Sequence, residues 1–332
     1  MPREQSALEA AWYNGAIWLW LLRPLEMIFR AAIALRKFAY RQQLLKTWRA
    51  PVPVIIVGNI NVGGTGKTPI VIALVEHLQD RGVRVGVVSR GYGASAGAFP
   101  HSVGENSTAA ECGDEPLLIH RRTGCPCVVD PDRPAAVRQL LESAAVDVII
   151  ADDGLQHYRL ERDLEIVVMD EDRGLGNGFC LPAGPLREPP ARLAEAHHLL
   201  RRGSDSPTQG VRYHQDALVN INSGSERGVA SDGVGKVISA VAGIGQPGQF
   251  FTALTRAGYV VQEFPFPDHH SYRAEDFSEL PAQPIIMTEK DAVKCAGLVG
   301  DDAWYLKISA ELPREVTEAV VALATSHPQG QV

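Results

Sequence analysis

Short runs of Val and Ile alternate with helical segments through the part of the chain that follows residue 50. The apolar runs have the length and composition of β-strands. Strands are predicted at 54–57, 83–89, 127–129, 147–151 and 164–169, with helices at about 68–80, 115–121 and 134–143. Strands without polar alternation are buried on both faces. The pattern predicts an α/β fold in which a mostly parallel sheet carries helices on both faces.

A second, shorter pattern of strands and helices follows a polar stretch. Strands are predicted at 237–241, 260–264, 285–288 and 304–308, with helices at 247–257 and about 313–325. Residues 203–235 are rich in Gly, Ser, Asp and Asn, which indicates loops or a hairpin. The predicted organisation is therefore N-terminal helices (1–50), a core (51–205), a loop or hairpin linker (206–235) and a smaller C-terminal α/β lobe (236–332).

The first fifty residues combine an apolar run with an excess of basic residues and four of the five tryptophans. The run from Ala10 to Leu22 ends at Arg23 and Pro24, and at about thirteen residues it is too short to span a bilayer. A basic, Trp-rich amphipathic helix is typical of a membrane interface. A helical hairpin packed on the main domain is the alternative, and both hold if one face meets protein and the other lipid. The absence of a small-residue cleavage site directly after the run argues against secretion.

Composition and charge narrow the class of protein further. The chain has 332 residues, a net charge of −7 and a pI near 5.8, so it lacks the basic footprint of a nucleic-acid-binding protein. The five cysteines are odd in number and are not spaced as a zinc site. A reducing cytosol is the simplest setting for them.

The most specific motif is Asn61-Val-Gly-Gly-Thr-Gly-Lys-Thr68, directly after the first predicted strand. A glycine-rich turn between a strand and a helix directs backbone N–H groups and the helix dipole at one anion, here a polyphosphate. Lys67 would reach the β- and γ-phosphates, and the Thr68 hydroxyl would bind Mg²⁺. Asn61 replaces the usual first glycine, and we expect it to tolerate a left-handed backbone. The residues assigned to nucleotide binding are Asn61, Gly63, Gly64, Thr65, Gly66, Lys67 and Thr68.

The predicted strand at 147–151 ends in two carboxylates, Asp152 and Asp153, followed by Gly-Leu-Gln-His. A carboxylate at a strand tip beside the phosphate loop can orient the Mg²⁺ held by Thr68. Asp153 is preferred for that role, and the division of labour between the two is left open. A strand end followed by a turn is the structural alternative.

Phosphoryl transfer to a hydroxyl also needs a carboxylate that takes its proton. Asp114, beside Glu115 at a predicted helix start, is the first candidate, although both acids could serve only to cap the helix. His269 or His270 of the second lobe could orient such a carboxylate. Arg90, Arg133 and Arg187 each follow a strand or a stiff turn, where an arginine binds a phosphate or forms a structural salt bridge.

These motifs together resemble the tetraacyldisaccharide 4′-kinase family, which phosphorylates a lipid A precursor at the inner membrane of Gram-negative bacteria. The resemblance runs through nearly the whole chain in order, and only residues 203–235 lack a counterpart. The motifs that carry it are residues 61–69, 89–93, 113–116, 130–133, 152–157, 182–189, 268–269 and 288–292.

The resemblance implies a two-lobed P-loop NTPase-type kinase that uses ATP and Mg²⁺ and meets the cytoplasmic face of the inner membrane as a peripheral protein. It makes Asp114 the catalytic base, paired with His269, with Lys67 at the phosphates and Thr68, Asp152 and Asp153 at the metal. An acylated disaccharide lipid and the membrane surface are the implied partners, with no nucleic acid and no obligate protein partner. The implied substrate contacts are Arg90, Glu115, Arg133, Gln156, Arg187 and Glu188.

Three other classes carry similar motifs. ParA/MinD-type membrane ATPase switches have a lysine before the Gly-Gly pair, where this chain has Val62. GTPases read guanine with a motif that Thr288-Glu-Lys-Asp291 imitates with its lysine displaced by one position. A soluble small-molecule kinase is the mildest alternative, and the N-terminal segment argues against it.

Overall fold

A computed structural model describes residues 7–95, 97–230 and 235–326 of the protein. The chain begins with α1 (Ala7–Asn14), a 3-10 turn (Ile17–Leu22) and α2 (Arg23–Arg41). Pro24 lies in the first turn of α2, where its missing N–H costs no hydrogen bond. Arg23 and Pro24 therefore end the apolar run and begin the next helix.

The core lobe follows as alternating strands and helices. Their bounds are β1 (Val54–Gly58), α3 (Lys67–Gln79), β2 (Val85–Ser89), β3 (His101–Val103), α4 (Ala109–Cys112), α5 (Asp114–Thr123), β4 (Cys127–Val129), α6 (Arg133–Ser143), β5 (Val148–Asp152), β6 (Leu164–Asp170) and β7 (His198–Arg202). The strands β7, β6, β1, β5, β2 and β4 lie side by side in that order and run parallel, and β3 pairs antiparallel at the edge. This confirms the predicted mostly parallel sheet. Because parallel strands end at the same edge, the loops after β1, β2 and β5 meet there.

Strand β1 shows why the core strands are continuous apolar runs. Successive side chains of a strand point to opposite faces of the sheet. Ile55 and Val57 pack on one face in a cluster that includes Leu74 of α3. Val54 and Ile56 pack on the other face in a cluster that includes Leu140 of α6. Both faces are therefore covered by helices, and no position of β1 is left for a polar side chain.

The second lobe extends the same sheet. Its bounds are β8 (Gly210–Asn220), β9 (Glu226–Arg227), β10 (Val237–Ala242), α7 (Pro247–Arg256), β11 (Val260–Pro265), α8 (Ala274–Ser278), β12 (Ile285–Thr288), α9 (Glu289–Ala292), β13 (Ala303–Glu311) and α10 (Arg314–Ser326). The strands β11, β10, β12 and β13 run parallel, and β8 pairs antiparallel with β13. The last helix, α10, returns to the core lobe, where Val316 and Val320 pack with α3.

The polar stretch 206–235 contains a long strand where the sequence predicts loops or a hairpin. Strand β8 pairs with β7 at Gly210 and Val211 and with β13 from Arg212 onward, and β9 returns on it as a short antiparallel partner. Its middle is exposed, so polar side chains such as His214 and Gln215 occupy positions that apolar residues fill in a buried strand. The hydrophobic pattern therefore did not identify β8 as a strand, although β8 and β9 form a hairpin, one of the two expected alternatives. The boundaries at residues 50, 205 and 235 stay predictions.

The N-terminal helices pack on the core lobe with one side and leave an apolar row outside. Glu26, 1% exposed, accepts a hydrogen bond from the Cys180 N–H at 3.2 Å and pairs with Arg23 at 3.0 Å. Large apolar side chains are exposed along the 3-10 turn and α2, and we call the following ones the apolar stripe: Ile17 and Leu21 of the turn, with Leu25, Ile28 and Leu35 of α2. Within the described ranges, no helix is both long and apolar enough to cross a bilayer.

Candidate active site

The glycine-rich loop between β1 and α3 lies at the carboxyl edge of the sheet. Gly63 and Gly66 have φ of 96° and 77°, left-handed values that favour glycine, and Gly66 is the N-cap of α3. The Tyr213 hydroxyl donates to the Gly66 carbonyl at 2.6 Å, and the Gln246 amide donates to the Gly64 carbonyl at 3.1 Å. The second lobe therefore supports the loop at two carbonyls. A turn of this kind at a helix start favours an anion.

Asn61 differs from the expectation placed on it. Its backbone is not in the left-handed region; it forms an isolated antiparallel bridge with Leu186 instead. Its side-chain amide donates to the Gly174 carbonyl at 3.0 Å, and the residue is buried. Asn61 therefore ties the start of the loop to the segment that precedes β7. Since its backbone φ is not positive, glycine is not needed at this position.

Lys67 and Asp153 meet where the loop faces the end of β5. Lys67 Nζ lies 3.2 Å from Asp153 Oδ1, and Arg187 Nη1 lies 3.0 Å from Asp153 Oδ2. Burial alone would raise the pKa of Asp153, but the charges of Lys67 and Arg187 outweigh it and hold that pKa well below its usual range. Thr68, buried in the first turn of α3, is the next residue. The structure therefore brings together Lys67, Asp153 and Arg187, three residues that the sequence assigned to different roles in the site.

Asp152 is buried at the tip of β5 and keeps one oxygen free of described partners. Its Oδ2 accepts a long hydrogen bond of 3.5 Å from the Ser89 hydroxyl, and its Oδ1 has no hydrogen-bond partner among the described residues. Burial and the charge of Glu115 raise the pKa of Asp152 to about 7. The buried hydroxyl of Thr65 also lacks a described partner. Buried oxygens left in this way fit a hard cation such as Mg²⁺.

No group of three or more His, Cys, Asp or Glu side chains in the described ranges could hold a metal ion by itself. Mg²⁺ in nucleotide sites keeps several water and phosphate ligands and takes one or two carboxylates from the protein. Asp152 and Asp153 with Thr68 match that smaller set.

Asp114 and His269 form a hydrogen-bonded pair across the two lobes. Asp114 begins α5 and is 4% exposed, and His269 Nδ1 lies 3.0 and 2.9 Å from its two carboxylate oxygens. Asp114 Oδ1 also accepts from the Glu115 N–H at 2.9 Å, so it satisfies one free N–H of the first turn of α5, whose N-cap is Gly113. His270, the other candidate, contacts Asp276 instead.

The pair stabilises its own charges. Burial opposes ionisation of Asp114, but the hydrogen bond from His269 and the charge of Lys290 outweigh it and lower the pKa of the carboxyl. Burial also disfavours charged His269, but the bond to Asp114 outweighs it and raises the pKa of the imidazole. An ionised, oriented carboxylate is what a general base requires.

The arginines differ in what is left for a ligand. Arg90 is exposed just after β2. Arg133 is 1% exposed and donates to the backbone carbonyls of Asp130 at 2.8 Å and Asp152 at 3.2 Å. Burial lowers the pKa of Arg133 to about 10. Arg133 therefore fixes the ends of β4 and β5, and Arg90 and Arg187 are the arginines that a ligand can reach.

Gln156 and Glu188 belong to one buried polar network. Gln156 Nε2 donates to Glu188 Oε1 at 3.0 Å and to the Asn59 carbonyl at 3.1 Å. Glu188, 1% exposed, also accepts from the Tyr158 hydroxyl and pairs with Arg192 at 3.4 Å. These contacts join the phosphate loop to the segment that holds Arg187. The contacts given for Gln156 and Glu188 are thus to neighbouring protein groups.

Two lysines lie beside Asp114 that the sequence did not assign to the site, although Lys290 belongs to the motif at 288–292. Lys290 Nζ lies 2.9 Å from Glu115 Oε1, and Lys294 Nζ lies 3.6 Å from Asp114 Oδ2. Both follow β12, in the motif Thr288-Glu-Lys-Asp-Ala and its continuation. The signal was their spacing of four residues, which places two cations on one face of a helical turn.

The space between the lobes joins the loop to the Asp114 pair. A Cβ built on Gly245 would lie 3.2 Å from the Gly64 nitrogen and 3.5 Å from Asp268 Oδ2, so the loop and the turn before His269 face one another. A cavity of about 470 Å³ opens beside Asp114, His269 and Tyr92. The Tyr92 ring is 65% exposed and lies 5.0 Å from the His269 ring, centroid to centroid. The cavity is large enough for a sugar ring next to Asp114.

Residues 18–325 match the family described as tetraacyldisaccharide-1-P 4′-kinase. The chain belongs to this family. It is similar to tetraacyldisaccharide 4′-kinases of Pseudomonas putida F1 and Pseudomonas paraeruginosa PA7, each 50% identical over 307 and 306 residues, which cover 92% and 91% of this chain and 92% of either relative. A crystal structure of the apo form of LpxK from Aquifex aeolicus, described as in complex with ATP, matches with a TM-score of 0.76 at 28% identity, over 92% of this chain and 99% of that one.

Membership of the family confirms the resemblance found in the motifs and makes this protein a kinase of lipid A biosynthesis, a phosphotransferase. The alternative of a ParA/MinD-type ATPase switch is not favoured. The roles of the individual site residues stay predictions.

Proposed function

We propose that this kinase transfers the γ-phosphoryl group of ATP to the 4′-hydroxyl of the tetraacyldisaccharide 1-phosphate precursor of lipid A. The proposal places it as a peripheral enzyme on the cytoplasmic face of the inner membrane. The observation that carries the proposal is the pair of Asp114 and His269, whose hydrogen bonds join the two lobes beside the cavity.

The phosphates of ATP fit the loop from Asn61 to Thr68, with Lys67 directed at the β- and γ-phosphates. Bound Mg²⁺ supplies charge neutralisation between the phosphate oxygens. Thr68, Asp152 and Asp153 would hold it, and the free buried oxygen of Asp152 favours that assignment. Lys67 is bound to Asp153 through its ammonium, so this ion pair exchanges for contacts to phosphate when the nucleotide binds.

Asp114 acts as the base in this proposal. Its carboxylate takes the proton of the 4′-hydroxyl while that oxygen bonds to the γ-phosphorus, and the bond from that phosphorus to the bridging oxygen breaks to leave ADP. His269 holds the orientation of the carboxylate. The residues that contact the substrates in this proposal are Arg90, Arg187 and Glu115. The residues that hold the surrounding backbone in place are Arg133, Gln156 and Glu188.

The exposed apolar stripe from Ile17 to Leu35 supports the membrane assignment. The acceptor keeps its acyl chains in the bilayer, so the enzyme must bring its cavity to the interface. An amphipathic helix does so by burying its apolar face at headgroup depth and placing basic residues on anionic lipid. Neither a nucleic acid nor an obligate protein partner is part of the proposal.

Transfer of radiolabelled γ-phosphate to a tetraacylated disaccharide 1-phosphate in detergent tests the reaction. Asp114→Ala and Lys67→Ala are expected to lower kcat by about 10²- to 10⁴-fold, the range typical of a lost general base or phosphate contact. Lys307→Ala is the matched control, because Lys307, on β13, pairs with Glu226 at 3.0 Å rather than with one of the proposed site residues. An absence of transfer by the wild-type protein with Mg²⁺ would end the proposal.

Flotation with anionic liposomes tests the membrane assignment. Replacing Leu21, Leu25 and Ile28 by Asn removes three exposed side chains of the stripe without touching the packed side of α2. We expect the variant to stay in the soluble fraction. Val237→Asn with Val260→Asn is the control, since both side chains are exposed apolar positions of the second lobe. Equal flotation of the stripe variant and wild type would refute the assignment.

A further inference from the structure

Two lysines of the second lobe converge on Asp114 of the core lobe. Lys290 and Lys294 are four residues apart on the helical turn that begins with α9, so they share one face. Lys294 Nζ lies 3.6 Å from Asp114 Oδ2, and Lys290 Nζ lies 3.9 Å from the same oxygen. Two cations of the second lobe therefore lie within 4.0 Å of the Asp114 carboxylate of the core lobe.

The two ammonium groups are not equivalent. Lys290 is shared with two other carboxylates, Glu115 at 2.9 Å and Asp268 at 3.4 Å. Lys294 is 9% exposed, its Nζ is inaccessible to solvent, and the carboxylates within 4.0 Å of it in the described structure are those of Asp114 and Asp291. Lys294 is therefore shared between Asp291 at 3.0 Å and Asp114 at 3.6 Å, whereas Lys290 is shared among three carboxylates.

Asp291 fixes the position of the Lys294 ammonium. Its Oδ1 lies 3.0 Å from Lys294 Nζ. Its Oδ2 accepts from the Gly243 N–H at 2.9 Å and from the Thr288 hydroxyl at 2.6 Å, and the residue is fully buried. Gly243 follows β10 and Thr288 ends β12. The cation is therefore anchored to the sheet of the second lobe and moves with that lobe.

We propose that Lys294 is a positioning residue for phosphoryl transfer, which holds Oδ2 of Asp114 and keeps that carboxylate ionised while the two lobes are together. The inference rests on the proposed role of Asp114 as the base. The phosphates of the donor bring negative charge to the site, and like charges disfavour an ionised carboxylate. A buried cation from the second lobe offsets that effect, so the base is active when the lobes have met.

The charged groups that face Asp114 are His269, Lys290 and Lys294 from the second lobe, with Glu115 beside it. The titratable thiol of Cys112 lies in the preceding turn, and burial raises its pKa to about 11, so it is neutral. Burial raises the pKa of Asp114, and the hydrogen bond from His269 and the two lysines outweigh that effect. Removing one lysine therefore raises the pKa of the carboxyl. Activity that needs the ionised base then declines at a higher pH than in the wild type.

Lys294→Met and Lys294→Gln test the inference, with Lys294→Arg as the conservative variant and Lys307→Met as the control. Initial rates over pH 4–9, ATP binding and thermal melting are measured for each. We expect kcat of the neutral variants to fall most on the acidic limb, by about tenfold, because a rise of roughly one pKa unit leaves about a tenth as much ionised carboxylate there. Both KM values should stay within about twofold, the acidic limb of the kcat profile should move to higher pH, and Lys294→Arg should retain most activity.

The same substitution in an Asp114→Ala background separates this inference from the proposed function. If Lys294 acts through Asp114, Lys294→Met causes no further loss in that background. An equal loss in both backgrounds, a change confined to KM, or wild-type kcat for a neutral variant would overturn the inference and leave the base assignment standing. Full activity of Asp114→Ala would instead overturn the base assignment itself. Lys294→Gln keeps the test available if Lys294→Met does not fold.

Discussion

Replacing Gly66 by alanine should damage the phosphate loop in two ways that the structure separates. Gly66 has φ of 77°, where a side chain costs about 1–2 kcal/mol. A Cβ there would also lie 2.7 Å from the Tyr213 hydroxyl, which donates to the Gly66 carbonyl. Tyr213 must move, and the net loss of that hydrogen bond adds about 0.5–1.5 kcal/mol. The expected decrease in the free energy of unfolding is about 1.5–3.5 kcal/mol.

Gly82→Ala is the matched control, since Gly82 has φ of 76° and a Cβ there would meet no atom within 4 Å. Urea unfolding gives the stability of both variants, and calorimetric titration gives their affinity for ATP with Mg²⁺. Gly82→Ala should lose about 1–2 kcal/mol and bind ATP normally. Gly66→Ala should lose more and bind at least about tenfold more weakly, since 1.4 kcal/mol is tenfold in affinity. Equal losses in the two variants, with unchanged ATP binding, would refute the reasoning.

Three further predictions concern the Asp114–His269 pair, buried Glu26 and the proposed Mg²⁺ site. Since Asp114 has a lowered and His269 a raised pKa, their pairing stabilises fully between about pH 4 and 6.5 and weakens as pH rises through the raised pKa of His269. His269→Ala should thus cost about 1 kcal/mol more in urea unfolding at pH 6 than at pH 9, and an equal cost would contradict the pairing. Glu26→Gln should loosen α2 by about 1–3 kcal/mol, seen as faster proteolysis after Arg30, because a buried partner of Arg23 loses its charge. EDTA should abolish most of the rise in melting temperature that ATP causes with Mg²⁺. In Asp152→Asn, ATP should raise the melting temperature less than in the wild type even when Mg²⁺ is present.

The fold was accessible from sequence because buried parallel strands are continuous apolar runs. The strands at β1, β4, β5, β6 and β12 lie within about one or two residues of the prediction, the usual error at element ends. Strand β8 was missed because its middle faces solvent and carries polar side chains. The pattern of apolar residues predicts which positions are buried and only indirectly which backbone conformation they have. An exposed strand with polar side chains, such as β8, is therefore not predicted from it.

The site was accessible only in part. The spacing of Lys67 and Thr68 in a loop fixes their place, and a strand tip fixes Asp152 and Asp153. Asn61 is extended because it pairs with Leu186. The sequence could not predict this pairing, since Leu186 is more than a hundred residues away along the chain. The partnership of Asp114 with His269 came from the family resemblance, since the residues alone left His270 and simple capping open. Long-range pairing of this kind is decided by tertiary packing.

Strands β8 and β13 together form a two-stranded ribbon between the lobes, and this determines how the lobes can move. A hydrogen-bonded ribbon resists stretching, but it twists and bends readily. Its register shifts between Lys307 and Ile308, and a bulge concentrates bending at one place. We therefore expect any motion of the second lobe against the core lobe to bend this ribbon at the register shift.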